Sequence, residues 1–410
     1  MILIVSDLHF ADTAARRTVD ATLLCALFAK EAKTAMEMKE GRLTILLLGD
    51  IFEVLKSQLW IDRAIRPWDA DGAQHTKTVT DIFNRIVDAN KGFFDGVTAL
   101  KKRYGAQIEF VYVPGNHDWP LNSVNVGAHA RQRLVQLLTL DHPDPMQPFS
   151  ESYVNADYGL IASHGHEHDP LNRTTPAKIA LGDAIVIEVL LRLPELVAQG
   201  LGWSSIDPRL EFLHELDNVR PQSPRVLAAW LNHHTGRLKD PKARGAVESA
   251  LNDIPTRLAG LRDSRKVTRA WREGSLWIDF WAAALSTKKA TFLASHVGVE
   301  NDSGNSYAHH AVKDLRALVG SSYDFGPQLV VHGHTHIPEL VPLSPVKQLV
   351  GPAPVYLNTG TWRRMHCFAP GTKGAPVFAD YLEHTHVIVY NGDEQTFGKP
   401  RYELQRAAHG

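Results

Sequence analysis

Short apolar runs of strand length punctuate the chain at Ile2–Val5, Leu43–Leu48, Ile108–Val113, Leu160–Ala162, Leu329–Val331 and Val355–Leu357. Between the early runs lie two longer stretches, Ala14–Lys39 and Thr78–Arg103, in which apolar residues recur at three- and four-residue spacing with charges on the opposite face. That spacing predicts amphipathic helices, and strands alternating with such helices predict an α/β sandwich with the helices laid over a sheet.

From about Glu167 to Lys289 the strand pattern lapses. The residues read there as helices broken at Pro194, Pro208, Pro221, Pro224, Pro241 and Pro255. We expect a catalytic unit made of residues 1–166 and 290–410, with residues 167–289 as a helical insertion or cap. A length of 410 residues exceeds the usual single core and accommodates such a second unit.

Composition narrows the picture mainly by exclusion. With 44 basic and 45 acidic residues the formal net charge is −1, which gives no global attraction to nucleic acid or to an anionic membrane. The two cysteines, Cys25 and Cys367, support neither a disulfide framework nor a thiolate metal site, as expected of a cytoplasmic protein. The apolar opening lacks a basic start and meets Asp7 early, so it reads as a buried strand rather than a signal peptide. No later stretch reaches the ~18 uncharged apolar residues of a membrane-spanning helix, and no transmembrane segment is expected.

The candidate chemistry sits where the strand-like runs end. Asp7-Leu8-His9, Gly49-Asp50-Ile51-Phe52-Glu53, Gly115-Asn116-His117-Asp118, His164-Gly165-His166 and Gly333-His334-Thr335-His336 each follow one. Ligands in α/β proteins gather at the carboxyl ends of strands, so these clusters can converge despite their separation in sequence. Imidazoles and carboxylates suit manganese, iron, zinc or nickel, and the two oxygens of Asp50 are enough to bridge two ions.

The ordered set DxH, GDxxE, GNHD, a later histidine and GHTH resembles the calcineurin-like metallophosphoesterase superfamily. The resemblance implies a two-sheet β-sandwich flanked by helices, with two divalent ions, manganese first, as cofactors. It implies that Asp7, His9, Asp50 and His336 hold one ion and that Asp50, Asn116, His164 and His334 hold the other. A metal-bridging hydroxide would then attack phosphorus, with His117 as general acid supported by Asp118. Glu53 is expected to stand behind the ligands or to serve as a structural carboxylate rather than as a ligand, because a helix after Asp50 would carry it away from the ions.

Several residues stay open at this point. His166 and His168 could touch substrate or sit on the surface. His296 follows an apolar run much as His164 does and is its rival as a ligand. Arg262, Arg265, Arg269 and Arg272 share one helical face with Lys266 nearby, a stripe that could receive a phosphate-rich substrate or simply be solvated. Trp271, Trp277 and Trp281 read as hydrophobic anchors or as stacking platforms for single-stranded nucleic acid.

The expected reaction is hydrolysis of a phosphoester, first of all a phosphodiester of a nucleotide or nucleic acid. A phosphomonoesterase and a nucleotide-sugar-lipid pyrophosphatase are the alternatives. The latter rests on the GDIFE segment, which resembles bacterial UDP-diacylglucosamine pyrophosphatases, although those usually carry arginine where this chain has His117. A metal-free binding or scaffold protein is the non-enzymatic alternative, and a dimer is compatible with all of these readings.

Overall fold

The computed structural model describes residues 1–13, 19–142, 144–173, 179–222, 224–262, 305–318, 328–343, 353–369, 377–392 and 401–409. They form an α/β protein with two mixed sheets. The strands are β1 (Ile2–Val5), β2 (Leu43–Leu48), β3 (Ile108–Val113), β4 (Ser152–Asn155), β5 (Leu160–Ser163), β6 (Val219–Arg220), β7 (Leu329–His332), β8 (Pro338–Pro342), β9 (Val355–Thr359), β10 (Met365–Ala369), β11 (Val377–Val389) and β12 (Tyr402–His409). The larger sheet runs β3-β2-β1-β11-β10-β6 with β12 also paired to β11, and the smaller runs β4-β5-β7-β9-β8. Strands β1, β2 and β3 are mutually parallel, as are β5, β7 and β9.

Period-two alternation explains how the layers stack. Ile2 and Ile4 of β1 join Leu46, Leu48, Val113, Leu160, Ala162, Leu329, Val331 and Leu357 in a core shared by the two sheets. Leu3 and Val5 point the other way, into a core with Ile45, Leu47 and the helices that cover the larger sheet. On the far side of the smaller sheet, Ile161, Val330 and Tyr356 pack against Ala308, Ala311 and Leu315 of the helix Asn305–Leu318. Both faces of β1 and β2 are therefore covered, which is why they read as unbroken apolar runs.

The helix Ala21–Met36 starts where Asp20 accepts hydrogen bonds from the amides of Thr22 and Leu23 at 2.7 and 3.4 Å. It buries Leu24, Phe28, Ala32 and Ala35 at helical spacing. The single helix expected over Thr78–Arg103 is two, Ala73–Ala89 and Lys91–Tyr104. The break falls at Asn90, whose side-chain amide donates to the carbonyls of Ile86 and Ala11, both at 2.8 Å. An asparagine that bonds backbone groups offers the chain an alternative to the helical ladder, and here it ties the turn to the loop just after His9.

Residues 179–258 contribute a hydrophobic cluster of their own, including Leu181, Leu193, Val197, Leu213, Trp230, Leu251 and Ile254. This region is not purely helical. β6 pairs in parallel with β10, placing Arg220 opposite Cys367 at the edge of the larger sheet. Arg265, Arg269, the three tryptophans and His296 lie outside the described residues, and Arg262 ends the helix Pro241–Arg262. No helix among the described residues is long and apolar enough to cross a membrane.

Candidate metal centre

Five loops meet at the carboxyl ends of β1, β2, β3, β5 and β7. The first two are zipped together by backbone bonds, from the Asp7 amide to the Gly49 carbonyl at 3.1 Å and from the His9 amide to the Asp50 carbonyl at 2.9 Å. The third is bonded to the second through the His117 amide, which donates to Asp50 Oδ1 at 2.7 Å. The last is pinned to the first where the His334 amide donates to Asp7 Oδ2 at 3.1 Å. Gly115 and Gly333 make this approach possible: a Cβ on the former would collide with the Asp50 carboxylate and amide, and one on the latter with the Asp7 carboxylate.

Three overlapping groups close enough to hold a metal ion result: the outer triads Asp7 with His9 and His336, and Asp50 with His164 and His334, and between them His9, Asp50 and His117. Asp50 stands between the outer triads, its Oδ2 lying 3.1 Å from His164 Nε2 and 3.9 Å from His9 Nε2. Asp7, His9, Asp50, Asn116 and His164 are almost completely buried. Within this shell Asp7 Oδ1, Asn116 Oδ1 and His164 Nε2 have no hydrogen-bond partner. Buried polar atoms normally find a partner, so three orphans at one place are what a donor set meant for cations would show. The donor chemistry, imidazole with carboxylate and amide oxygen, suits divalent transition ions.

Backbone strain marks the same residues. Asp7, His9, Asp50, His334 and His336 all adopt left-handed φ angles between 48° and 68°, and among the described non-glycine residues only Ala64 and Thr139 share that conformation. Each such residue costs roughly 1–3 kcal/mol and persists where the surroundings over-determine it, typically at functional sites.

The ring orientations are set by outer partners. His164 Nδ1 bonds the Leu48 carbonyl at 3.1 Å, which turns Nε2 to Asp50. His9 Nδ1 bonds Glu53 Oε2 at 2.8 Å, leaving Nε2 toward Asp7 and Asp50. His334 Nε2 contacts Asp169 Oδ2 at 3.2 Å. Carboxylates and carbonyls behind histidines are the usual way to fix the tautomer of a metal ligand. His336 differs. Arg220 approaches its Nδ1 at 2.5 Å, and a guanidinium can only donate, so that nitrogen takes the lone pair and Nε2 carries the proton, donating it to His9 Nε2 at 3.2 Å.

Glu53 stands behind the site's histidines, one of its two expected places, but arrives there by a path other than the expected helix. No helix follows Asp50; instead Phe52 bridges Phe10 in parallel fashion, and the extended chain turns Glu53 back into the site. Its second oxygen bonds His117 Nδ1 at 2.7 Å, so one carboxylate orients both His9 and His117. Asp118, expected behind His117, is occupied elsewhere: it accepts from the amides of Gly115, Ile51 and Phe52 at 2.5, 3.1 and 3.5 Å and thereby shapes the Asp50 loop.

The electrostatics follow from these contacts. Burial opposes charge on His117, but Glu53 and Asp50 outweigh it and lift its pKa to about 9. Burial likewise opposes charge on His164, yet Asp50 and Asp7 raise it to about 10. Burial pushes the Asp7 carboxyl up to about 6, with the charge of Asp50 adding to the effect. His9 falls to about 4 through burial and the nearby Arg363 cation. The cluster thus carries more negative charge than its buried surroundings readily hold, a condition bound cations relieve.

Beside the triads lies a cationic group that sequence reasoning missed. Lys56 and Arg363 both pair with Asp217, Arg363 at 2.7 Å, and Arg220 Nη1 donates to the Asp217 carbonyl at 2.7 Å. All four side chains are largely buried. Arg363 follows the end of β9, so the strand-end rule that flagged the histidines could have flagged it as well. Nothing in the local sequence marks Asp217 or Arg220. His166 stands next to the second triad, its ring centroid 5.5 Å from that of His164 and 6.4 Å from that of His334.

In comparisons with known proteins, no family model matches this chain and no curated protein is detectably similar to it.

Proposed function

We propose that the chain is a two-metal phosphoester hydrolase of the calcineurin-like metallophosphoesterase type, acting on a phosphodiester of a nucleotide or nucleic acid. The observation that carries this reading is the position of Asp50 between two triads, with one carboxylate oxygen near histidines of both. Two face-to-face mixed sheets with helices outside them accord with that type.

In this reading Asp7, His9, Asp50 and His336 hold one ion, manganese first, and Asp50, Asn116, His164 and His334 hold the other. Two such ions would neutralise phosphate charge and supply a nucleophilic water at neutral pH. Asn116 offers a carbonyl oxygen without adding a charge that would repel an anionic ester. His117 delivers a proton to the leaving oxygen from Nε2, because Glu53 occupies Nδ1 and holds the ring charged. Asp118 serves indirectly, by fixing the loop that presents Asp50.

The cationic group favours an anionic substrate. When His336 Nε2 becomes a ligand its proton must leave that nitrogen, which the donating Arg220 obstructs at Nδ1. On coordination Arg220 would have to release the ring, and its guanidinium would then be free to make charge-assisted hydrogen bonds to the substrate phosphate.

The test is a hydrolysis panel on the purified chain with added manganese: a chromogenic diester, a chromogenic monoester, cyclic nucleotides, single- and double-stranded nucleic acid, and a nucleotide-sugar. Diester cleavage is expected, with a drop of about 10²–10⁴-fold in His117→Ala at unchanged metal content. Cleavage confined to monoesters or pyrophosphates would reject the diester preference. Failure with manganese, iron, zinc and nickel alike would reject the enzyme reading.

A further inference from the structure

A separate group of potential ligands sits on the other side of the smaller sheet's carboxyl end. His168 lies in the turn after β5, His332 is the last residue of β7, and Asp314 projects from the helix Asn305–Leu318. Asp314 Oδ2 is 2.9 Å from His168 Nε2 and 3.3 Å from His332 Nε2. Three elements distant in sequence thus bring one ligand atom each to a single point.

An ion pair between His168 and Asp314 would account for part of this arrangement. It does not account for His332. That side chain is fully buried, and neither of its ring nitrogens has a hydrogen-bond partner. Leaving a buried polar group unpaired costs on the order of 1–3 kcal/mol, and here the unpaired Nε2 faces a carboxylate oxygen just outside hydrogen-bond geometry. Ligands on a tetrahedral zinc at 2.0–2.1 Å stand about 3.3 Å apart, close to the spacing seen.

We propose that His168, Asp314 and His332 form a third divalent-metal site, selective for zinc or a similar transition ion and distinct from the Asp7 and Asp50 triads. Two imidazoles and one carboxylate disfavour magnesium and calcium, which require mostly oxygen ligands. Glu167 accepts from Ser163 Oγ at 2.5 Å and the Gly165 amide at 3.0 Å while its Oε1 stands 3.8 Å from His168 Nε2, so the fourth position falls to Glu167, solvent or His310. His310 lies one turn before Asp314 and stacks on His168 at 4.7 Å. An ion here clips the helix Asn305–Leu318 to the end of β7, directly before the Gly333–His336 loop.

The experiment measures zinc per chain by mass spectrometry after loading the full-length protein with excess zinc and desalting. Wild type is expected to hold one equivalent that Asp314→Asn and His168→Gln each remove, and that Asp50→Asn retains. The half-buried His168 keeps the test open if the Asp314 variant does not fold. Zinc content unchanged in either folded variant overturns the proposal. Because the readout is stoichiometry in an Asp50→Asn background as well, an empty Asp7/Asp50 centre would sink the proposed function without touching this site.

Discussion

The two sides of the candidate centre are built on opposite plans. On one, Asp7, His9, Asp50, His334 and His336 sit in left-handed backbone conformations, and several of the shell's donor atoms lack a hydrogen-bond partner. On the other, no residue of the cationic group is left-handed: Lys56 and Arg363 pair with Asp217 and Arg220 donates to its carbonyl, although Asp217 Oδ1 and Arg363 Nε have no partner of their own. Left-handed strain collects where an incoming cation would repay it. Paired cations collect where an incoming anion could displace one partner. The first side has the chemistry to hold cations, and under the proposed function the second would receive substrate charge.

The largest effect that would break this comparison is at Asp50. Asp50→Asn keeps the shape of the side chain but removes the charge shared between the triads, so both ions should be lost together. Metal content of the Asp7/Asp50 centre is expected to fall toward zero and hydrolysis by on the order of 10³-fold or more. If the variant retained its metals and full turnover, Asp50 would not be the bridge.

A smaller effect is expected at Arg220. Arg220→Met preserves much of the apolar stem and removes every donor, freeing His336 Nδ1 while Asp217 keeps Lys56 and Arg363. Metal affinity should hold or rise. KM should increase about 10–100-fold, the equivalent of one charge-assisted hydrogen bond at roughly 1.5–3 kcal/mol. An unchanged KM would confine Arg220 to a structural role and remove the substrate half of the comparison.

The metal side was far more legible in the sequence than the cationic side, for physical reasons. β1, β2, β5, β7 and β9 are buried on both faces over nearly all their length and β3 on one, so they stand out as apolar runs, and the residues that end them announce themselves. β11 begins Val377-Phe378-Ala379-Asp380 with much of that half exposed, and β6 is only two residues long, so neither carries a strand signal. Arg220 and Asp217 inherit that silence. Glu53 was legible as a carboxylate behind the ligands but not in its path, because propensity after Asp50 suggested a helix where pairing of Phe52 with Phe10 imposes an extended chain. Asn90 similarly splits a continuous helical period through bonds to Ala11 that no local pattern encodes.

The smallest predicted effect concerns Asp183, an acid that fits neither plan. It lies in the short helix Leu181–Ile185, is fully buried, and among the described residues pairs with no cation; Trp119 Nε1 donates to its Oδ2 at 3.2 Å while Oδ1 has no partner. Burial raises its pKa from 3.8 to about 7, with the nearby His117 charge pulling the other way. Because the folded chain holds this proton more tightly than the unfolded one, stability falls as pH rises above 3.8 and the loss is complete above about 7. Asp183→Asn abolishes that penalty. It should raise the melting temperature by a few degrees at pH 8 and by clearly less at pH 5, each pKa unit being worth about 1.4 kcal/mol. A gain of equal size at both pH values would mean that the amide simply packs better. No gain at pH 8 would mean that Asp183 meets a cation in the working protein, and that the cationic side of the centre extends as far as His117.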